Sequence, residues 1–433
     1  MPSEERARIV ELDKRYVWHP YTPMEAYLRD GRPLVIERAE GSRLHDADGR
    51  SYIDGNASWW TSLLGHGHPR LLRALQEQAS RLCHTALAGM THAPAARVAE
   101  ALVRVAPPGL EHVFFSDNGS TAVESALKLC AQYWVQNGRH KKTRFLSLEG
   151  AFHGETLGAT ALGGVDAFRR PFSALTMPVT HLPSPADGVD RALDALEREL
   201  EARSDDVAAL VVEPLVQGAG GMRMYGAEYL REARRLTERY DVLFVVDEVF
   251  TGYGRTGTFW ACERAGISPD VLCSAKGLSG GLLPFAATLA STRVFEGFLG
   301  PSDRAFYYGH TYCGNPLGAA VALEVLAIYE DERIVSRAQA SGERIARTFA
   351  ALGDLPGVSA ARSLGMVGAL ELRGGRGYLE RGGWVVYERA LELGAYLRPL
   401  GNVVYVTPAL NITESDLGEL LAIVETAVGE VAS

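Results

Sequence analysis

VLFVVDEV, residues 242–249, opens with five consecutive apolar residues and closes its run on two acids and a valine. A strand with one wet face alternates apolar and polar positions. An unbroken apolar run therefore reads as a strand covered on both faces, as in a parallel sheet layered by helices. DVLCSAKG (270–277) repeats the pattern and ends in a lysine and a glycine. HVFFS (112–116), TRFLSLE (143–149), AALVVEP (208–214) and FAATLAS (285–291) are runs of the same kind. Helical patterns lie between them. TAVESALKLCAQYW (121–134) sets Ala122, Ala126, Leu129 and Tyr133 on one face, and AEYLREARRLTERY (227–240) is similar. This alternation predicts an α/β fold with a mostly parallel sheet over residues 61–325.

The two ends read differently. LVIERAEGSRLHDADGRSYIDG (34–55) places Asp48-Gly49 between extended segments, a hairpin signal. After a long helical stretch, NPLGAAVALEVLAIYEDE (315–332), GMVGALELR (365–373) and NVVYVTPAL (402–410) read as strands. Thr413 and Asp416 then form a capping box for a last helix. Residues 1–60 and 326–433 are expected to build a smaller α+β domain beside the large one. The length, 433 residues, suits two or three domains or one large domain with an appendage.

Composition narrows the class. Lys+Arg is 44 against Asp+Glu 53, a net charge of −9, which gives no electrostatic reason to hold nucleic acid or an anionic membrane. No apolar run approaches the roughly 20 residues of a membrane span. The charged stretch MPSEERARIVELDKRYV (1–17) lacks the apolar segment of a secretory signal, so a cytoplasmic enzyme is expected. Five scattered cysteines without a CxxC argue against a disulfide framework or structural zinc.

Lys276 at the end of a buried strand is chemically unusual, because burying an unpaired ammonium is costly. One solution is a covalent link to an aldehyde cofactor. Asp247, at the end of another strand, could then pair with the pyridine nitrogen of pyridoxal phosphate. The spacing alone equally allows an exposed Lys276 and an Asp247 that caps a turn. Asp117-Asn118-Gly119-Ser120, between strand and helix, offers a phosphate site at a helix N-terminus or an ordinary cap. His310-Thr311, just before the helix near Asn315, is a second phosphate candidate.

Other motifs compete. Gly252-Tyr253-Gly254-Arg255-Thr256-Gly257 is a formal GxGxxG, which would make the chain a nicotinamide-dependent dehydrogenase. It lies away from its strand end, however, and TFWACERAG (258–266) is a poor helix, so it reads better as a loop carrying Arg255. Trp18-His19-Pro20-Tyr21 and Ser58-Trp59-Trp60 suit either domain packing or the wall of a pocket for a long apolar ligand. Arg398, seven residues before Tyr405, is either a carboxylate grip or a surface charge. His66 and His68 have no further ligands at metal-binding spacing, so no metal is expected.

Taken together, these segments resemble the class III, fold-type I pyridoxal-phosphate aminotransferases over nearly the whole chain. The general resemblance lies in Gly119-Ser120 before a helix, Phe152-His153-Gly154, VVDEVFTGYGRTG (245–257), the lysine of SAKG and GHTYCGNPLG (309–318). WHPYTPM (18–24), SWW (58–60), EPLVQGAGGMRMY (213–225) and RPLGNVVY (398–405) resemble the members that aminate 8-amino-7-oxononanoate in biotin biosynthesis.

The resemblance implies that Lys276 carries the cofactor and moves the reacting proton, and that Asp247 holds the pyridinium. It implies that Gly119 and Ser120 bind phosphate from one subunit, with His310 and Thr311 arriving from the other, in an obligate homodimer. Phe152 would stack on the cofactor ring. Tyr21, Trp59, Trp60, Gly309, Arg398 and Tyr405 would line the substrate pocket beside Phe152 and Lys276, Arg398 taking the oxo acid's carboxylate. The implied amino donor is S-adenosylmethionine, with lysine or an ω-amino acid as alternatives. The chain departs from the common pattern at Phe152, usually tyrosine, and at Glu155, usually aspartate; both lie near the donor's place.

Overall fold

The computed structural model describes residues 1–374 and 381–432. Its central sheet has seven strands: β1 (Leu110–Ser116), β2 (Arg144–Leu148), β3 (Val179–Leu182), β4 (Val207–Val212), β5 (Leu243–Asp247), β6 (Val271–Ser274) and β7 (Ala286–Ser291). Their order across the sheet is β1-β7-β6-β5-β4-β2-β3. Every residue of β4, β5 and β6 is buried, as their unbroken apolar runs require. Helix α1 (Gly119–Gln136) turns Ala122, Ala126, Leu129 and Tyr133 inward, the face expected from their spacing.

Most neighbours in this sheet are parallel, but β7 runs antiparallel to both β6 and β1. Residues 275–285 alone connect β6 to β7. A parallel crossover needs about a dozen residues or more, usually with a helix. The chain therefore turns back instead of crossing over.

The termini share structure. Strands Ile36–Glu40, Arg43–Asp46 and Ser51–Asp54 form an antiparallel sheet, to which Ala395–Tyr396 adds in parallel with Ser51–Asp54. Gly49, at φ +83°, supplies the left-handed turn of the expected hairpin. Val358–Leu364, Val367–Leu372 and Val403–Val406 make a second antiparallel sheet. Helices α2 (Pro316–Asp331) and α3 (Glu414–Ala432) complete the late elements used below. The expected capping box of α3 is only half made. The Asp416 N–H donates to Thr413 Oγ1 at 3.1 Å, whereas its carboxylate takes Arg43 at 2.7 Å. The stronger charge-assisted partner has drawn the acid away from the backbone.

Strands β1, β2, β4, β5 and β6 all point the same way, so their C-terminal ends open on one edge of the sheet. Asp117–Ser120, Ala151–Glu155, Glu213, Asp247 and Lys276 follow those ends directly. Ligands of open α/β sheets bind at this kind of edge. Among the described residues, no helix is long and apolar enough to cross a membrane.

Candidate active site

Lys276 follows β6 by two residues and lines a cavity of about 290 Å³ with Thr61, Asp117, Asn118, Gly119 and Phe285. It is not the exposed loop lysine that its spacing also allowed. Burial pushes its pKa below the ordinary lysine value, while Asp247 and Glu213 pull the other way. The Trp60 ring centroid lies 5.2 Å from its Nζ. Lowering an amine's pKa raises its neutral, nucleophilic fraction, which suits attack on an aldehyde.

Asp247 is 4% exposed. Its Oδ1 accepts the Val249 N–H at 3.0 Å, and its Oδ2 lies 2.8 Å from His153 Nδ1. Burial disfavours a charged His153, but the bond to Asp247 and the surrounding acids raise its pKa overall. Glu213, at the end of β4, accepts the Phe152 and Gly218 N–H groups at 2.9 Å each. Burial pushes its pKa up to about 7, opposed by His153. Sequence reasoning missed both His153 and Glu213. The signal was present: each is a charged or titratable residue directly after an apolar strand or its turn, inside motifs already noted. Glu248, next to Asp247, has a different task. It accepts Thr251 Oγ1 at 2.6 Å and Cys262 N at 2.9 Å, and so anchors the loop that follows.

The phosphate candidate is preorganised. Asn118 caps α1 through a reciprocal box with Thr121, which leaves the Gly119 and Ser120 N–H groups at the free end of an 18-residue helix. A Cβ on Gly119 would lie 2.7 Å from Val249 Cγ1, so only glycine fits. Ser120 Oγ accepts the Glu155 N–H at 2.9 Å, leaving its hydroxyl proton to donate elsewhere. A helix-end anion cradle, a buried acid braced by imidazole and a buried lysine share one sheet edge. Each matches one functional part of pyridoxal phosphate: phosphate, ring nitrogen and aldehyde.

The aromatic residues form a wall by an unforeseen route. Ala57, Ser58, Trp59 and Trp60 have φ of 45°, 46°, 64° and 75°. A left-handed turn of L-residues costs roughly 1–2 kcal/mol per residue, so it persists only where its surroundings hold it. Ser58 Oγ donates to Asp54 Oδ2 at 2.8 Å, and Trp60 Nε1 donates to the Tyr405 hydroxyl at 3.1 Å. The turn sets Trp59 under the Arg398 guanidinium, 4.7 Å from its ring centroid, and edge-on to Tyr21 at 5.8 Å. Tyr21 donates its hydroxyl to Glu155 Oε1 and packs edge-on against Phe168. Phe152 also meets Phe168, at 5.9 Å. Arg398 is half-buried in this wall and is not a plain surface charge.

Several expectations fare differently. Trp18 is 86% exposed and stands outside the wall that Tyr21 joins. Gly309 and Thr311 lie on an exposed stretch after β7, where His310 Nε2 comes 3.5 Å from Asp117 Oδ1. The dehydrogenase alternative fails. Tyr253 and Arg255 are buried, and a short 3₁₀ turn (Ala261–Ala265) follows instead of the helix a dinucleotide would need. His66 and His68 face different acids, Asp54 at 2.9 Å and Glu332 at 3.4 Å.

Fold and site together define a transferase that works through a pyridoxal cofactor bound at a sheet edge. The chain belongs to the class-III aminotransferases, whose family model matches residues 26–428, and its cofactor is pyridoxal 5′-phosphate. It is 39% identical to an adenosylmethionine-8-amino-7-oxononanoate aminotransferase of Geobacter sulfurreducens, over 100% of this chain and 99% of that one. The crystal structure of the enzyme of that name from Methanocaldococcus jannaschii is similar at a TM-score of 0.94 and 34% identity, covering 98% and 99% of the two chains. The ω-transaminase of Pseudomonas jessenii in complex with PMP is similar at a TM-score of 0.92 and 30% identity, covering 98% of each chain.

Proposed function

We propose that this chain transfers an amino group to 8-amino-7-oxononanoate, giving 7,8-diaminononanoate for biotin biosynthesis, with S-adenosylmethionine as donor. The observation that carries this reading is the wall opposite Lys276. It holds one guanidinium, Arg398 over Trp59, and one carboxylate, Glu155 on Tyr21. A long apolar acid needs the first and a bulky cationic donor needs the second. Two of the relatives named above, matched over nearly their whole length, carry the name of this reaction and support the reading.

Pyridoxal phosphate, when bound, supplies the electron sink that lets a C–H bond beside nitrogen ionise. The chain does the rest. Lys276 holds the cofactor and, as a free amine, moves the proton off the donor's carbon. Asp247, braced by His153, keeps the ring nitrogen protonated. Gly119 and Ser120 grip the phosphate, and Phe152 covers one ring face. His310 and Thr311, with Gly309, complete the site of a second copy, so the working unit is a cytoplasmic homodimer with shared sites. Tyr21, Trp59, Trp60 and Tyr405 exclude water around the apolar chain, and Arg398 fixes its carboxylate. Residues 61–325 form the cofactor domain, and 1–60 with 326–433 the smaller one.

A second reading takes lysine as donor, since Glu155 suits either cation. Mixing the loaded enzyme with single donors and following the cofactor's visible absorbance separates them. S-adenosylmethionine is expected to convert it to the amine form. Conversion by lysine alone moves the assignment to the second reading, and conversion only by simple ω-amines refutes both.

A further inference from the structure

Asn56 immediately precedes the left-handed turn and is 2% exposed. Its Oδ1 accepts the Arg398 backbone N–H at 2.6 Å, and its Nδ2 donates to the Tyr405 carbonyl at 3.2 Å. Its own carbonyl accepts the Trp60 N–H at 2.9 Å, the first hydrogen bond of the turn. The side-chain amide thus joins the backbone of Arg398 to the strand of Tyr405, and the residue's own backbone starts the turn carrying Trp59 and Trp60. The neighbouring backbone runs along the same seam, with Gly55 N–H on the Tyr396 carbonyl at 3.1 Å and Thr407 N–H on the Gly55 carbonyl at 2.7 Å.

We propose that Asn56 is a specificity-positioning residue, which sets the Arg398 guanidinium over Trp59 and so gives the pocket its preference for long-chain carboxylates. The inference rests on the functional reading above, in which Arg398 takes the acid. Its physical basis is that, among the described residues, no hydrogen bond or ion pair ties Arg398 to an acid. What orients the guanidinium is the Trp59 face and the position of its own backbone. The Asn56 side chain acts on the second directly, and on the first through Tyr405, whose hydroxyl accepts from Trp60 Nε1 in the same turn. An amide is the group that suits this place, because it must accept from one backbone and donate to another at once. Asp247, Lys276, Gly119 and Ser120 sit at the ends of β5 and β6 and at the start of α1, and the Asn56 side chain bonds to Arg398 and Tyr405 instead.

The test is equilibrium binding of octanoate and octan-1-ol to the loaded enzyme by calorimetry, in wild type, Asn56→Ala and Asn56→Ser. Octanoate carries the carboxylate that Arg398 would read, and octan-1-ol carries the same chain without it. Wild type should prefer octanoate, and both variants should lose about tenfold of that preference with an unchanged cofactor absorbance band. Asn56→Ser keeps a polar group but is too short to bridge both backbones, and it serves if the alanine variant does not fold. Unaltered preference in a folded variant overturns this inference alone. A wild type without preference overturns the carboxylate role of Arg398 and this inference with it. Equal loss for acid and alcohol overturns it too, because that is the mark of a general packing defect.

Discussion

Asp247 and His153 are 94 positions apart in the chain and 2.8 Å apart in space. That separation explains why one was legible and the other was not. Asp247 ends an apolar run, where an acid is conspicuous. His153 sits in a turn after β2, and its partner is set only by how the strands lie across the sheet. Glu213 was hidden for the same reason. Its raised pKa, about 7, gives a pH prediction. A carboxyl whose folded pKa exceeds its unfolded value keeps extra protons in the native state, so stability falls as pH rises through that range. Glu213→Gln should lower the melting temperature at pH 5 yet flatten its decline between about pH 5 and 7, checked by calorimetric melts. For Arg398→Ala, stopped-flow kinetics should show the oxo-acid half-reaction slowed at least about tenfold more than the donor half-reaction. Equal slowing would remove the carboxylate role.

At the level of elements, the apolar runs marked six of the seven strands of the central sheet and the face of α1, burial leaving its plainest signature in β4, β5 and β6. The direction of β7 was hidden, since an apolar run says nothing about which way it points. The turn at 57–60 was hidden too, because no glycine announces it. Lys142 shows how elements are tied at the end away from the site. It is fully buried, and its ammonium donates to the carbonyls of Ser204, Val207 and Asp241 at 2.8, 3.2 and 2.6 Å, near the starts of β2, β4 and β5. Lys142→Met should cost about 3 kcal/mol, three bonds at roughly 1 kcal/mol each, read by denaturant unfolding. Burial lowers its pKa to about 8. The unfolded chain then binds more protons between that value and the ordinary lysine range, so wild-type stability should rise with pH there. The methionine variant should lack that rise.

For the whole molecule, the proposed shared sites make a genetic prediction. A dimer mixing a Lys276→Ala chain with a Thr311→Asp chain places both defects in one site and leaves the other intact. Each mixed dimer should show about half of the wild-type activity, although each variant alone is inactive. Failure to restore it, with mixed dimers isolated by two affinity tags, would place each site within a single chain. The N-terminal hairpin and two C-terminal strands were legible, but Ala395–Tyr396 was not, because a two-residue strand added in parallel to Ser51–Asp54 leaves no local trace.

Asn56 meets its two backbone partners 342 and 349 positions later in the chain. During synthesis, then, every strand of the seven-stranded sheet has left the ribosome before the acid-reading wall can close. A nascent chain halted after β7 already carries Lys276, Asp247 and the N-terminal end of α1, yet lacks the Tyr405 hydroxyl that receives Trp60 Nε1 from the tryptophan turn. On the proposed reading, the lysine and acid that would hold the vitamin are therefore made long before the last strands, which would make each molecule selective.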